Sequence, residues 1–91
     1  MYSMMKKIAE ARKQLELADQ QKVGYVRMAY NDYISECAKM DDELNFIGHP
    51  EQCKNEWLAG AVEDGILEES EFNYLFGLLD VVGIEDAMSV A

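Results

Sequence analysis

Positive charge is scarce in this chain and absent from its last third. No Lys or Arg follows Lys54, whereas nine Asp and Glu residues do. Residues 1–27 hold six of the eight basic residues and a balance of +3, while residues 28–91 carry −13, which together give the net charge of −10. A field of this sign repels nucleic acid and anionic membranes and attracts basic surfaces. We therefore expect no direct binding of DNA, RNA or membrane.

Long loops, linkers and membrane-spanning runs are also lacking. The chain has one proline and six glycines in 91 residues, and its apolar runs are too short to cross a bilayer. The opening residues MYSMMKK lack the apolar core of a signal peptide, so a cytoplasmic location is expected. Because 49% of the residues are apolar, the chain is not compositionally disordered. We predict a single helical domain over residues 1–91.

Metal ligands and redox-active residues are few. Cys37 and Cys53 could form a disulfide, but two cysteines in a reducing compartment are more typical of buried thiols. Cys53 and His49 are four residues apart, yet no CxxC motif or second histidine completes a tetrahedral zinc set. We expect neither a metal nor a cofactor.

Two apolar stripes with helical spacing cover the first half of the chain. The first stripe consists of Met4, Ile8, Ala11, Leu15 and Ala18. The second consists of Val26, Tyr30, Tyr33, Cys37, Met40, Leu44 and Ile47. Since the stripes are out of phase by one residue, either the helix breaks near residues 20–24 or it continues past Gly24 with a shifted seam. We favour a break.

Glycine and proline mark the later helix boundaries. Gly48 and Pro50 predict the end of one helix and the first position of the next. Gly65 predicts the cap of that helix, with Ile66 folding back onto it. A further helix is expected over 68–82, and a short terminal one over 84–88 after Gly83. The fold class is all-α, a small bundle of four to five helices. Two long N-terminal helices, or one kinked helix, would precede shorter ones.

The segment 68–82 is apolar nearly all round. Such a helix is either central in a fold or half of an interface. Because a chain this short cannot easily enclose a helix on all sides, we expect self-association through this segment and the N-terminal helix. The residues predicted to carry it are Phe72, Tyr74, Phe76 and Leu78.

The stretch from Asp64 to Phe72 resembles the second half of an EF-hand calcium loop, with Gly65 at the sharp turn and Glu71 as the bidentate acid. Gly60 and Val62 stand where two earlier ligands belong, so the loop cannot supply the six to eight oxygens that calcium needs. A helix–turn–helix connection in which Glu71 caps the second helix accounts for the same residues. No nucleophile motif, phosphate-binding glycine loop or metal-binding HExxH motif is present, and we expect no enzyme.

Carboxylates three or four residues apart on a helix can stand in for a phosphate backbone. We therefore predict a protein–protein interaction module that occludes the basic, nucleic-acid-binding surface of a host protein. In size and charge the chain is similar to compact acidic helical proteins of phages and mobile elements, which often act in this way as DNA mimics directed against restriction or CRISPR machinery. The predicted partner-binding residues are Asp41, Asp42, Glu43, Glu63, Asp64, Glu68, Glu69 and Glu71. Two alternatives are a homodimeric helical adaptor and an acidic surface that serves only solubility.

Overall fold

The computed structural model of the chain describes the backbone of residues 2–90 and the side chains of residues 4–83. Within this range the chain forms α1 (Tyr2–Leu17), α2 (Gln20–Cys37), α3 (Pro50–Glu63) and α4 (Glu69–Val90). The predicted all-α bundle is confirmed. The expected order of two long helices followed by shorter ones is wrong, because α4 is the longest with 22 residues. None of the described helices is both long and apolar enough to span a membrane.

The break between α1 and α2 falls at Asp19, just before the segment predicted to hold it. The Asp19 side chain accepts a hydrogen bond from the backbone N–H of Gln21 (2.9 Å) and so caps the N-terminus of α2. The side-chain amide of Gln20 turns back and donates to the carbonyl of Leu15 (2.9 Å) at the end of α1. Gly24 lies within α2 and breaks nothing.

The second apolar stripe is helical only as far as Cys37. α2 ends there and residues 38–49 form a loop, so the predicted helix through Ile47 is wrong. The loop contains Asp41 and Asn45, and Asp41 uses its carboxylate to bind backbone N–H groups of the loop. Side chains of this kind compete with helical hydrogen bonds for the same donors, which is why the apolar spacing does not produce a helix here.

Gly48 is a packing glycine and not a helix cap. A Cβ at this position would stand 1.7 Å from the backbone oxygen of Glu36, so only glycine allows the loop to approach the end of α2 this closely. The backbone N–H of His49 then donates to the Glu36 carboxylate (3.2 Å). Pro50 is the first residue of α3, as predicted.

The turn after α3 has the predicted glycine cap with a different hydrophobic contact. Gly65 has a φ of 71°, and its N–H donates to the carbonyl of Val62 (3.2 Å). The N–H of Ile66 donates to the carbonyl of Ala61 (2.9 Å), which completes a Schellman motif. Leu67 is only 4% exposed, whereas Ile66 is 38% exposed, so the side chain that folds into the core is Leu67.

Helix α4 does not end at Gly83. The predicted break at Gly83 and the separate helix over 84–88 are wrong, because α4 continues through this glycine. Gly83 instead gives space to a neighbour, since a Cβ there would lie 2.5 Å from the Tyr30 hydroxyl. At the other end of α4, the Glu71 carboxylate accepts from the backbone N–H of Glu68 (3.2 Å), the capping role predicted for Glu71.

The helices form a thin plate with principal extents of 43 × 39 × 16 Å. α4 contacts α1, α2 and α3, and α2 packs along α3. In the described part of the chain α1 and α3 do not touch. They therefore occupy opposite edges of the plate, with α2 and α4 between them.

The core is built around the predicted apolar face of α4. Phe72 is fully buried, and Phe76 makes edge-on ring contacts with Tyr30 (5.3 Å between centroids) and Tyr33 (5.2 Å). Three other helices thus cover the segment that is apolar nearly all round. The core cluster consists of Leu15, Val23, Val26, Ala29, Ala61, Leu67, Phe72, Leu75, Phe76 and Leu79.

Two glycines provide a matched test of this backbone. Gly65→Ala places a Cβ on a residue with a φ of 71°, and should lower the free energy of unfolding by roughly 1–2 kcal/mol. Gly24→Ala adds a methyl group that meets nothing within 4 Å inside α2, and should raise it by about 0.5–1 kcal/mol. Urea unfolding followed by circular dichroism measures both. Effects of the same sign would contradict the assigned conformations.

Candidate functional site

The carboxylates predicted to bind a partner lie in two separate places. Asp41, Asp42 and Glu43 form an acidic loop before α3, within residues 38–49. The remainder form an acidic turn at the other end of α3. In the chain α3 lies between the two, and at a rise of 1.5 Å per residue it is about 20 Å long. The acidic turn consists of Glu63, Asp64, Glu68, Glu69 and Glu71.

Glu71 is engaged within the protein. Its carboxylate lies 2.7 Å from the ammonium group of Lys22 and also accepts from the backbone N–H of Glu68. The hydrogen bond with Lys22, followed by that with Glu68, lowers the pKa of Glu71, and the same contact raises the pKa of Lys22. Glu71 thus joins α2 to the start of α4. The other carboxylates of the acidic turn are exposed and form no ion pair among the described residues.

Asp41 organises the acidic loop from within. Its carboxylate accepts from the backbone N–H groups of Asn45 (2.8 Å) and Glu43 (2.9 Å). The Asn45 N–H contributes most to the lowering of the Asp41 pKa, because it stabilises the charged form. The exposed carboxylates of Asp42 and Glu43 take no part in these bonds and point their charge at solvent.

The lysines near these acids are also occupied. Lys39 forms an ion pair with Glu36, and the ammonium group of Lys54 lies 4.4 Å from the ring centroid of Phe76. These are the two basic residues of the segment 28–91. The basic residues of α1 lie on the opposite edge of the plate from α3, so they do not neutralise the acids along it.

The 38–49 loop carries a second feature that the sequence did not reveal. Four large apolar side chains in it are between 51% and 78% exposed. The apolar spacing assigned three of them to the buried stripe of a helix. The signal that could have found them is the turn-forming pair Asp41 and Asn45 within that stripe. The four side chains are Met40, Leu44, Phe46 and Ile47.

The residues predicted to mediate self-association divide between core and surface. Phe72 and Phe76 are buried against the other helices, so their side chains are not accessible to a second copy in this fold. Tyr74 is 54% exposed, and Leu78 is half-buried beside it. Both line a groove of about 450 Å³ between α1 and α4, together with Lys7. Self-association itself stays a prediction.

Two of the three residues considered for zinc line a shallow groove of about 250 Å³. Cys53 and His49 line it with Glu36, whereas Cys37 is exposed elsewhere on α2. Burial, followed by the charges of Asp32 and Glu36, raises the pKa of the Cys53 thiol. Among the described residues, no group of three or more His, Cys, Asp or Glu side chains is arranged to hold a metal ion.

No protein-family model, curated protein or solved structure matches this chain.

Protonation of Asp41 should release the acidic loop. Because hydrogen bonds lower the pKa of Asp41, the ordered loop is stabilised above the ordinary value of 3.8 and is lost as the pH falls through the lower folded value. In nuclear magnetic resonance spectra, the amide signals of Glu43 and Asn45 should shift together with a midpoint below 3.8. Asp41→Ala should move both signals at neutral pH, whereas Asp42→Ala, which changes the residue next to Glu43, should leave the Asn45 signal in place. A midpoint above 3.8 would contradict the assignment.

Proposed function

We propose that this protein is an acidic interaction module that covers a basic, nucleic-acid-binding surface on another protein. One observation carries the proposal: six exposed carboxylates form no ion pair among the described residues, while the lysines nearest to them are engaged elsewhere. These carboxylates are available for cations supplied by a partner. They are Asp42, Glu43, Glu63, Asp64, Glu68 and Glu69.

The position of α1 supports the proposal. Its basic residues would cancel the acidic field if α1 packed beside α3, but α4 and α2 lie between the two helices. The acids of the loop and of α3 therefore act on the surroundings with little compensation from α1, whereas the acids at the start of α4 stand on a helix that α1 contacts directly. A field of this kind accelerates encounters with basic proteins and weakens as salt shortens the screening length, from about 10 Å at 0.1 M to about 3 Å at 1 M.

The spacing of the acids favours a nucleic-acid-binding partner over a single basic side chain. α3, which lies between the acidic loop and the acidic turn in the chain, is about 20 Å long. This is the length of about six base pairs of duplex, whose phosphates are contacted by arrays of Lys and Arg. Two groups of carboxylates, one before and one after this helix, match such an array. In this proposal the module acts as a DNA mimic, of the kind phages and mobile elements direct against restriction or CRISPR machinery.

Charge reversal on the acidic sites should abolish capture of basic proteins. The test uses immobilised protein and lysate from a cell that carries its gene, with elution by duplex DNA at low salt. The unmodified protein should retain a protein that the duplex releases. The quadruple variant Asp42→Lys, Glu43→Lys, Glu68→Lys, Glu69→Lys should retain none of it, because its field at both sites is inverted. Asp41 and Glu71 are left unchanged, since both hold the fold locally.

A control pair separates position from total charge, because the two reversals Glu68→Lys and Glu69→Lys change the net charge by the same amount as two reversals on α1. Glu10→Lys with Glu16→Lys also replaces exposed acids, but on α1 at the other edge of the plate. This variant should keep most of the capture, and circular dichroism should show helical content unchanged in both variants. The proposed function would be contradicted if the acidic reversals did not reduce capture of the partner protein, or if duplex DNA did not release it.

The surface of the α1–α4 groove favours a second candidate, a homodimeric adaptor. Tyr74 presents a large aromatic side chain to solvent beside Leu78, at the groove of about 450 Å³. An exposed aromatic residue at a groove between two helices is typical of protein contacts. In this alternative the acids serve solubility, and α1 and α4 of one copy face those of the other.

Sedimentation decides whether this second candidate holds. A homodimer would give twice the monomer mass at high micromolar concentration, and Tyr74→Arg should return it to a monomer by placing an unpaired charge in the contact. Met28→Arg, a change at another exposed apolar residue on α2, is the control and should leave the mass unchanged. A monomeric mass for the unmodified protein would remove the homodimer.

A further inference from the structure

The 38–49 loop exposes more large apolar side chains than folding explains. Met40, Leu44, Phe46 and Ile47 are each at least half exposed within eight residues of chain. A single exposed apolar residue is ordinary on a protein surface, whereas a contiguous group is typical of a binding site. In the sequence these four residues border Asp42 and Glu43, whose exposed carboxylates form no ion pair among the described residues.

Hydrogen bonds hold this loop in a defined shape. An isolated antiparallel bridge joins Met40 to Phe46, and the N–H of Ile47 donates to the carbonyl of Lys39 (3.1 Å). Inside the bridge, Asp41 receives hydrogen bonds from the turn, as described above. The apolar side chains are thus presented from an organised backbone, so little conformational freedom is lost when they bind.

Leu44 occupies this loop against its own backbone preference. Its φ of 65° is the one positive value among the described residues other than glycine. Glycine and asparagine adopt this conformation readily, whereas leucine does so at a cost. The side chain gains no compensating burial, because it is 78% exposed. Neither local conformation nor packing therefore accounts for leucine at the tip of the loop.

We propose that the 38–49 loop is a docking element that inserts Leu44 and Phe46 into an apolar cleft bordered by Lys or Arg on a partner protein. Charge complementarity selects this occupant, since Asp42 and Glu43 flank the apolar tip and Lys39, the basic residue of the loop, is neutralised by Glu36. The inference rests on the proposed function and deepens it. The acids would position the module on a basic surface, and the apolar tip would select a particular cleft within it.

A second copy of the chain fits this loop less well. Two copies each carry a net charge of −10 and repel one another, and a contact between two such loops would bring their acids together. A contact between the loop of one copy and the basic α1 of another closes into a dimer only if both reciprocal contacts form at once, and otherwise continues into rings or open filaments. A foreign cleft avoids both problems.

An amphipathic helical peptide of Leu and Lys serves as the probe of this chemistry, and a Gln–Lys peptide of equal length and charge is its control. Calorimetry should show that the unmodified protein binds the Leu–Lys peptide at least about tenfold more tightly. Leu44→Asn should remove this margin without lowering the unfolding temperature, because asparagine accepts a positive φ. Met28→Gln, at an exposed apolar residue on α2, should retain the margin.

The outcomes separate this inference from the proposed function. If Asp42→Lys with Glu43→Lys weakens the binding of both peptides while Leu44→Asn still binds the Leu–Lys peptide more tightly than its control, the charge proposal stands and the docking element is wrong. If the lysine variant binds both peptides as tightly as the unmodified protein, the charge proposal fails. The docking inference is overturned if the unmodified protein shows no margin. It is also overturned if Leu44→Asn converts an oligomer of the unmodified protein into a monomer in sedimentation, which would make a second copy the occupant.

Discussion

Burial of α4 is the constraint on which the rest of this structure depends. The helix is apolar on most of its circumference, and a chain of 91 residues has only three other helices to cover it. Leu15 of α1, Val26 of α2 and Ala61 of α3 join Phe72 and Phe76 in one cluster. Each helix directs apolar side chains to α4, α1 and α3 do not touch in the described part of the chain, and the molecule is a plate 16 Å thick.

Because α1 and α3 do not touch in the described part of the chain, basic and acidic residues that are separated in the sequence stay separated in the folded structure. Six of the eight basic residues lie in α1 and α2, whereas most of the acids follow in the loop, in α3 and in the turn to α4. Lys22, Lys39 and Lys54 are each held by an internal partner. Mutual repulsion of the remaining carboxylates opposes folding, and cations on a partner would relieve it. The same carboxylates thus destabilise the isolated protein and would favour its binding to a basic partner.

Local signals in the sequence predicted much of the fold. The stripe through Ile8 and Leu15 becomes the buried face of α1, and Pro50 and Gly65 bound α3. The predictions were wrong where a residue has a role other than the one it usually has. Gly83 looked like a helix stop, yet it makes room for a tyrosine ring, a tertiary contact that single-sequence periodicity cannot reveal.

The candidate site was predictable only in part, because some of its residues act through tertiary contacts that the sequence does not reveal. The acidic residues were identified from charge alone, but the separate structural roles of Asp41 and Glu71 depend on contacts with Asn45 and Lys22. The exposed apolar tip was not predicted, because its apolar residues have the spacing of a helix.

Hydrogen exchange of the protein, alone and with a partner recovered by DNA elution, tests the central claim most directly. The account predicts slowed exchange over residues 38–49 and 63–71, and slowing confined to α1 and its groove with α4 would contradict it.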